Sequence, residues 1–338
     1  PVATDRLRQV SRVLGLLVTR TLASPVTAGR RSAAAGPGPG KSGGGQSQRA
    51  GLAMSGPFLV LYALFFFAPF IYSIVLSLRN PQTNAFAGLF NYRNVVGNGE
   101  FWSAIVRMAY FGVVQVTVMI ALAIGLALLL DSPFIRGKKL FALAYFFPYA
   151  VPGVIAAVMW AFLLQPDLDS ALKVPHALGL ASGALNPLAY RFVIYAMMLI
   201  VTWEWTGYNM TILLTSLTSV PREVLESGKI DGASELTLAW RIKLPMIRRT
   251  VAFITVISVI GTLQLFNEPV ILNDIASIGS SYSPNQLIFN TAFSFGNEQL
   301  AAAQSIVLAL ITILATASFY GIMRRRFSLF GAVQGGRR

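Results

Sequence analysis

Two carboxylates inside apolar sequence are the first candidates for chemistry. Glu204 lies in Trp203-Glu204-Trp205-Thr206-Gly207-Tyr208-Asn209-Met210, and Glu268 in Gln264-Leu265-Phe266-Asn267-Glu268-Pro269. A charge at membrane depth costs ~2.5–3.5 kcal/mol even on insertion scales, so a retained one points to function. Both neighbourhoods interleave aromatic rings with amide and carboxylate groups. That mixture suits a polyhydroxylated ligand, whose C–H faces pack on rings while its hydroxyls bond to Asn, Gln and Glu. Trp203, Glu204, Trp205, Tyr208 and Asn209 form one candidate group. Gln264, Phe266, Asn267 and Glu268 form the other. The plainer alternatives are interfacial anchoring for the tryptophans and helix–helix hydrogen bonding for Gln264 and Asn267.

Other chemistries lack their residues. The chain has no Cys, which excludes a disulfide framework, thiol catalysis and zinc–thiolate sites, and its one His excludes multi-histidine metal centres. His176, Asp167 and Asp169 share one loop and read as a solvated face rather than a metal site. An intramembrane enzyme would need convergent acid, base or metal ligands. Two scattered carboxylates do not supply them, so no catalytic residue is assigned. Gly40-Lys41-Ser42 ends like a phosphate-binding loop. Ala35 stands where its first Gly belongs, Pro37 and Pro39 remove amide donors, and no strand precedes it, so no nucleotide site is read there.

The elements that position these residues are apolar. Of 338 residues, 55% are hydrophobic and 12% charged, against about 25% charged in soluble domains. Six runs, roughly 57–78, 109–130, 140–164, 192–218, 250–272 and 301–323, reach the ~20 residues a bilayer crossing needs. Backbone in lipid must satisfy its own hydrogen bonds, so the expectation is an all-α membrane protein with six transmembrane helices. Pro57, Pro69, Pro148 and Pro152 should kink the first and third, and Asp131 and Arg324 should mark exits into water. Residues 1–50 read as a basic, low-complexity tail without a signal-peptide pattern, in which Val10, Val13, Leu14 and Leu17 could lie on lipid. Residues 51–101 hold the first helix and an outer loop, with Phe90-Asn91-Tyr92 as a surface segment. Residues 102–324 form the core, and 325–338 a second basic tail.

Charge sets the orientation. Net charge is +14, but its placement argues topology rather than a nucleic-acid partner. Eight Lys and Arg lie in 1–50, three in 131–139, six in 219–249 and five in 324–338, leaving five of the 27 elsewhere: Arg79, Arg93, Arg107, Lys173 and Arg191. The positive-inside bias puts both termini and the 219–249 segment in the cytoplasm.

That segment, Pro221–Arg249, is a long polar interval between apolar runs, and loops of this length usually have structure or a task. It reads as two short helices. Pro221 begins the first, with Val224, Leu225 and Gly228 on one face. Asp231-Gly232 breaks it, because Gly accepts positive φ. Ser234 caps the second, Glu235 sits in its first turn, and Leu244-Pro245 ends it.

The order Glu226-Ser227-Gly228, Asp231-Gly232-Ala233, Ile242-x-Leu244-Pro245 resembles the EAA loop of ABC-importer permeases. The Asp-Gly-Ala form is similar to the carbohydrate branch, the maltose and glycerol-phosphate type. Ser227 and Gly228 replace that family's usual two alanines. Trp203, Gly207 and Met210 match its fourth-helix pattern, and Phe266-Asn267-Glu268-Pro269 resembles its fifth-helix stretch. The resemblance implies a type I ABC-importer permease fold in the cytoplasmic (inner) membrane of a prokaryote. It implies half of a sugar translocation pathway, completed by a second homologous permease. Two ABC ATPase subunits, which hold Mg-ATP, would dock on the loop, and an extracytoplasmic sugar-binding protein would deliver substrate. This chain itself would hold no cofactor. Glu226, Ser227, Gly228, Asp231, Gly232, Ala233, Ile242, Leu244 and Pro245 would couple to the ATPases, with Val224, Leu225 and Ile230 as apolar contacts and Gly232 letting the second helix pack beneath. The alternatives are an ion-coupled secondary transporter using Glu204 or Glu268, and an ABC permease for glycerol phosphate or another non-sugar solute.

Overall fold

The computed structural model describes residues 54–165, 186–276 and 278–335, with side chains up to 321. The 1–50 tail and most of the loop carrying Asp167, Asp169 and His176 lie outside the described residues. The chain divides into two units, Pro1–Leu61 and Tyr62–Arg338. Of the first, residues 54–61 are described, as helix. The second unit holds the rest of the described residues.

Its described regular elements are helices, with one isolated antiparallel bridge between Arg79 and Phe86. In order they are α1 (Ala68–Ser77), α2 (Phe90–Gly97), α3 (Gly99–Asp131), α4 (Lys138–Phe146), α5 (Gly153–Leu163), α6 (Val193–Leu217), α7 (Arg222–Ile230), α8 (Glu235–Met246), α9 (Arg248–Leu263), α10 (Asn267–Ala276), α11 (Pro284–Phe289) and α12 (Glu298–Gly335). Among the described residues, three helices are long and apolar enough to cross a membrane: Met54–Ser77, Gly99–Asp131 and Glu298–Gly321. Two bent pairs raise the total to five if each is one span. Helix α6 has the length, about 37 Å at 1.5 Å per residue, but the polar residues around Glu204 keep it outside that set.

Proline explains most departures from six straight rods. The third apolar run is bent by 95° between Lys138–Ala150 and Gly153–Leu163, where Pro148 and Pro152 interrupt the hydrogen-bond ladder. The fifth run is not one helix. A proline ring clashes with the carbonyl four residues back, and for Pro269 that residue is Leu265, so α9 stops at Leu263 and α10 starts at Asn267. Before Pro69 the chain widens into a π-helical turn, Ala63–Phe67. Helix α12 runs on past Arg324 to Gly335. The Phe90-Asn91-Tyr92 segment is not superficial: Asn91 is fully buried, and its amide donates to the carbonyls of Ser77 and Arg79.

The core is the pairing of α3 with α6. Lipid is as apolar as leucine, so close approach of backbones replaces the hydrophobic drive. Ala123 and Ala127 on α3 are buried against Met210, Leu213 and Leu217 on α6. On the other side of α6, a Cβ at Gly207 would overlap the Tyr145 carbonyl of α4. Glycine there is what lets α4 lie directly on α6.

Candidate functional site

The α4–α6 contact carries an aromatic floor. The turn after α4 places Tyr149 over α6, stacked on Tyr208 at 4.6 Å between centroids and edge-on to Trp205 at 5.2 Å. Trp205 and Tyr208 meet edge to face at 5.7 Å. The break between α9 and α10 supplies the opposite wall. Together they enclose a cavity of about 260 Å³ lined by Trp205, Tyr208, Asn209, Gln264, Phe266, Asn267 and Glu268, with α3 contributing Gln115 and Met119. Seven of the nine residues singled out in the apolar runs thus line one space, although the two groups lie more than fifty positions apart in sequence.

Trp203 and Glu204 lie outside that lining. Trp203 packs edge-on against Trp160 at 5.8 Å, within the apolar core. Glu204 is buried outside the cavity lining, with its carboxyl near that of Glu268. Both aim at Gly153, just after the 95° bend. A Cβ there would sit 3.3 Å from Asn267 Nδ2, 3.4 Å from Glu268 Oε1 and 3.5 Å from Glu204 Oε1. The pair therefore joins α6, α10 and the start of α5.

Gln115 and Met119 line the cavity without having been singled out in the sequence. Gln115 is buried; its amide nitrogen donates to Met119 Sδ (3.4 Å) and Thr202 Oγ1 (3.4 Å), while its Oε1 has no protein partner. Asn209 donates to the Trp205 carbonyl at 3.1 Å and lies 3.6 Å from the same Met119 sulfur. A lone amide in the 109–130 run was the available signal for Gln115. Nothing in sequence marked Tyr149, which packs on the cavity-lining Trp205 and Tyr208 from the turn at the proline bend.

The 221–249 interval forms an elbow of α7 and α8. Helix α7 starts at Arg222 with Pro221 as its N-cap, and Gly232 turns the chain at φ 81°. The Ser234 hydroxyl accepts from the Thr237 amide and caps α8. Lys229 bridges the turn to Glu235 at 2.8 Å, an exposed pair worth little on its own. The close-packing glycine is Gly228, not Gly232. A Cβ on Gly228 would fall 2.8 Å from Leu238 and 2.9 Å from Ile242, whereas Gly232 faces open space. Helix α8 also passes the expected stop at Leu244-Pro245: a π-helical turn over Ala239–Lys243 carries it to Met246, with the 67° bend to α9 at Ile247.

Leu225 packs inward, while Glu226, Ser227, Asp231 and Pro245 are exposed and Ala233, Ile242 and Leu244 are half-buried. Large apolar side chains also face outward: Ile230 is 87% exposed, Leu236 69% and Trp240 56%. In so polar a segment, apolar exposure on this scale marks an interaction surface, for protein or for membrane. Among the described residues, no group of three or more His, Asp or Glu could hold a metal ion.

Known transport permeases are similar to this chain over most of its length. The lactose transport system permease protein LacF of Rhizobium radiobacter is 29% identical over 280 residues, covering 80% of this chain and 93% of LacF. The arabinooligosaccharides transport system permease protein AraP of Halalkalibacterium halodurans is 27% identical, covering 78% and 84%. The sn-glycerol-3-phosphate permease protein UgpA of Pectobacterium atrosepticum is also 27% identical, covering 80% and 92%. A chain of a bacterial ABC transporter that imports alginate superposes with a TM-score of 0.71 over 83% of this chain and 96% of its own, at 19% identity, which shows a shared fold. Residues 119–328, which include the cavity residues from Met119 onward and the whole elbow, match a single family, and the chain belongs to it: the binding-protein-dependent transport system inner membrane components.

Proposed function

We propose that this permease forms half of the pathway of an ATP-driven importer for a neutral sugar or oligosaccharide. The carrying observation is the cavity between α3, α6 and the α9–α10 break. Aromatic rings, amides and one carboxylate line it, and no Lys or Arg does. An anionic solute such as a phosphate ester calls for cationic partners, so the lining favours the lactose and arabinooligosaccharide relatives over the glycerol-phosphate one. The chain is a transport subunit, not an enzyme.

In this reading six crossings, with both termini in the cytoplasm, place the protein in the inner membrane of a prokaryote. A second, homologous permease completes the pathway. Two ATPase subunits carrying Mg-ATP grip Ile230, Leu236 and Trp240 on the elbow, and an extracytoplasmic binding protein delivers the sugar. ATP binding draws the ATPases together, and the elbow carries that movement to the helices as a rigid body.

The test is competition for uptake in cells expressing the intact system. Neutral di- and oligosaccharides should inhibit uptake of the transported solute, and glycerol phosphate should not. Inhibition by the phosphate ester alone would reverse the assignment.

A further inference from the structure

One largely buried ion pair ties the elbow to the core, and neither the sugar cavity nor the docking surface uses it. Lys243 ends the π-helical turn of α8 and is 8% exposed. Its ammonium donates to Asp131 Oδ2 at 2.5 Å. Asp131 is the last residue of α3, and its carbonyl also accepts from Lys138 Nζ at 3.1 Å, at the start of α4. The pair spans 112 positions of sequence.

We propose that Lys243 and Asp131 are positioning residues that pass the elbow's movement to α3, and through it to the cavity. This rests on the reading of α7 as the ATPase-driven segment. The physical path is continuous. Helix α7 bears on α8 through Gly228, against Leu238 and Ile242. Lys243 follows Ile242 directly. From Asp131, α3 runs back as one uninterrupted helix to Gln115 and Met119 in the cavity wall. A continuous helix moves as a body, whereas the other connection, from α7 back to α6 through Thr218–Pro221, is a non-helical linker. A buried pair is a weak source of stability, because desolvation offsets its attraction. Fixing the register of two elements is its better-attested use. π-helical turns also collect at functional positions.

The test uses the full complex, with the second permease and both ATPases. The chain has no Cys, so Ile257→Cys, at the cavity edge, gives one labelling site in this subunit. Its maleimide labelling rate with and without ATP reports pathway movement. Removing one charge would strand the other in the interior, so the variants change both. Asp131→Asn with Lys243→Met should keep ATP hydrolysis while the ATP-dependent change in labelling falls about tenfold, the scale of coupling carried by such networks. Asp131→Lys with Lys243→Asp restores the pair and should restore the response. A neutral pair with an undiminished response overturns the proposal. So does a swapped pair that assembles yet responds no better than the neutral one. If the unsubstituted complex binds no ATPase, or its labelling ignores ATP, the importer reading fails and the proposal falls with it.

Discussion

The carboxyl groups of Glu204 and Glu268 meet beside Gly153, one from the middle of α6 and the other from the first turn of α10. Only Glu268 also lines the cavity, so the two should not behave alike. Glu268→Gln should raise the KM for sugar uptake about tenfold, as expected for loss of one charge-assisted hydrogen bond. Glu204→Gln should leave KM near the parent value and lower the thermal stability of the purified complex. Equal KM effects would place both in the pathway.

Gly207 is the tightest steric constraint on the site. Gly207→Ala forces α4 away from α6 and should cost about 1–3 kcal/mol or more, the range for overpacking. It should also displace Tyr149 from Tyr208. Thermal unfolding in detergent checks the first effect. Gly125→Ala, whose Cβ meets nothing within 4 Å, is the matched control and should be silent.

The two elbow glycines differ in kind. At Gly228 an added methyl meets Leu238 and Ile242, so Gly228→Ala should tilt α7 and reduce the ATPase recovered with the permease. At Gly232 space is open but φ is 81°. Gly232→Asn, which tolerates that conformation, should therefore dock ATPase normally, while Gly232→Val should not. Equal recovery with Asn and Val would contradict the strain argument.

Gln115 presents a buried acceptor with no protein partner toward the cavity. A buried unpaired acceptor is costly, about 1–3 kcal/mol, and a sugar hydroxyl would satisfy it. Gln115→Leu should weaken sugar affinity several-fold, about the value of one hydrogen bond, with ATPase docking intact. Unchanged uptake kinetics would remove Gln115 from the pathway.

Much of this was legible in the sequence, and the rest was hidden for identifiable reasons. Apolar runs marked where helix would form, because lipid leaves the backbone few other choices. The run over 250–272 concealed the break that makes the cavity, since its composition is continuous and only Pro269, acting on Leu265, interrupts it. Polar residues in apolar surroundings pointed to the cavity, but periodicity could not tell Glu268 at its wall from Glu204 outside it. The elbow's turn at Gly232 was readable from Asp231-Gly232. The close packing was wrongly placed there because only the fold shows which glycine faces α8. Lys243 and Asp131 were invisible as a pair, because nothing local links residues so far apart.

The most direct measurement of the central claim is sugar uptake into proteoliposomes holding the two permeases, with binding protein and ATP, with and without the ATPase subunits. Uptake should require the ATPases and should be lost when Ile230 and Trp240 on the elbow are both changed to Asp. Ion-driven uptake by the permease without them would contradict the account.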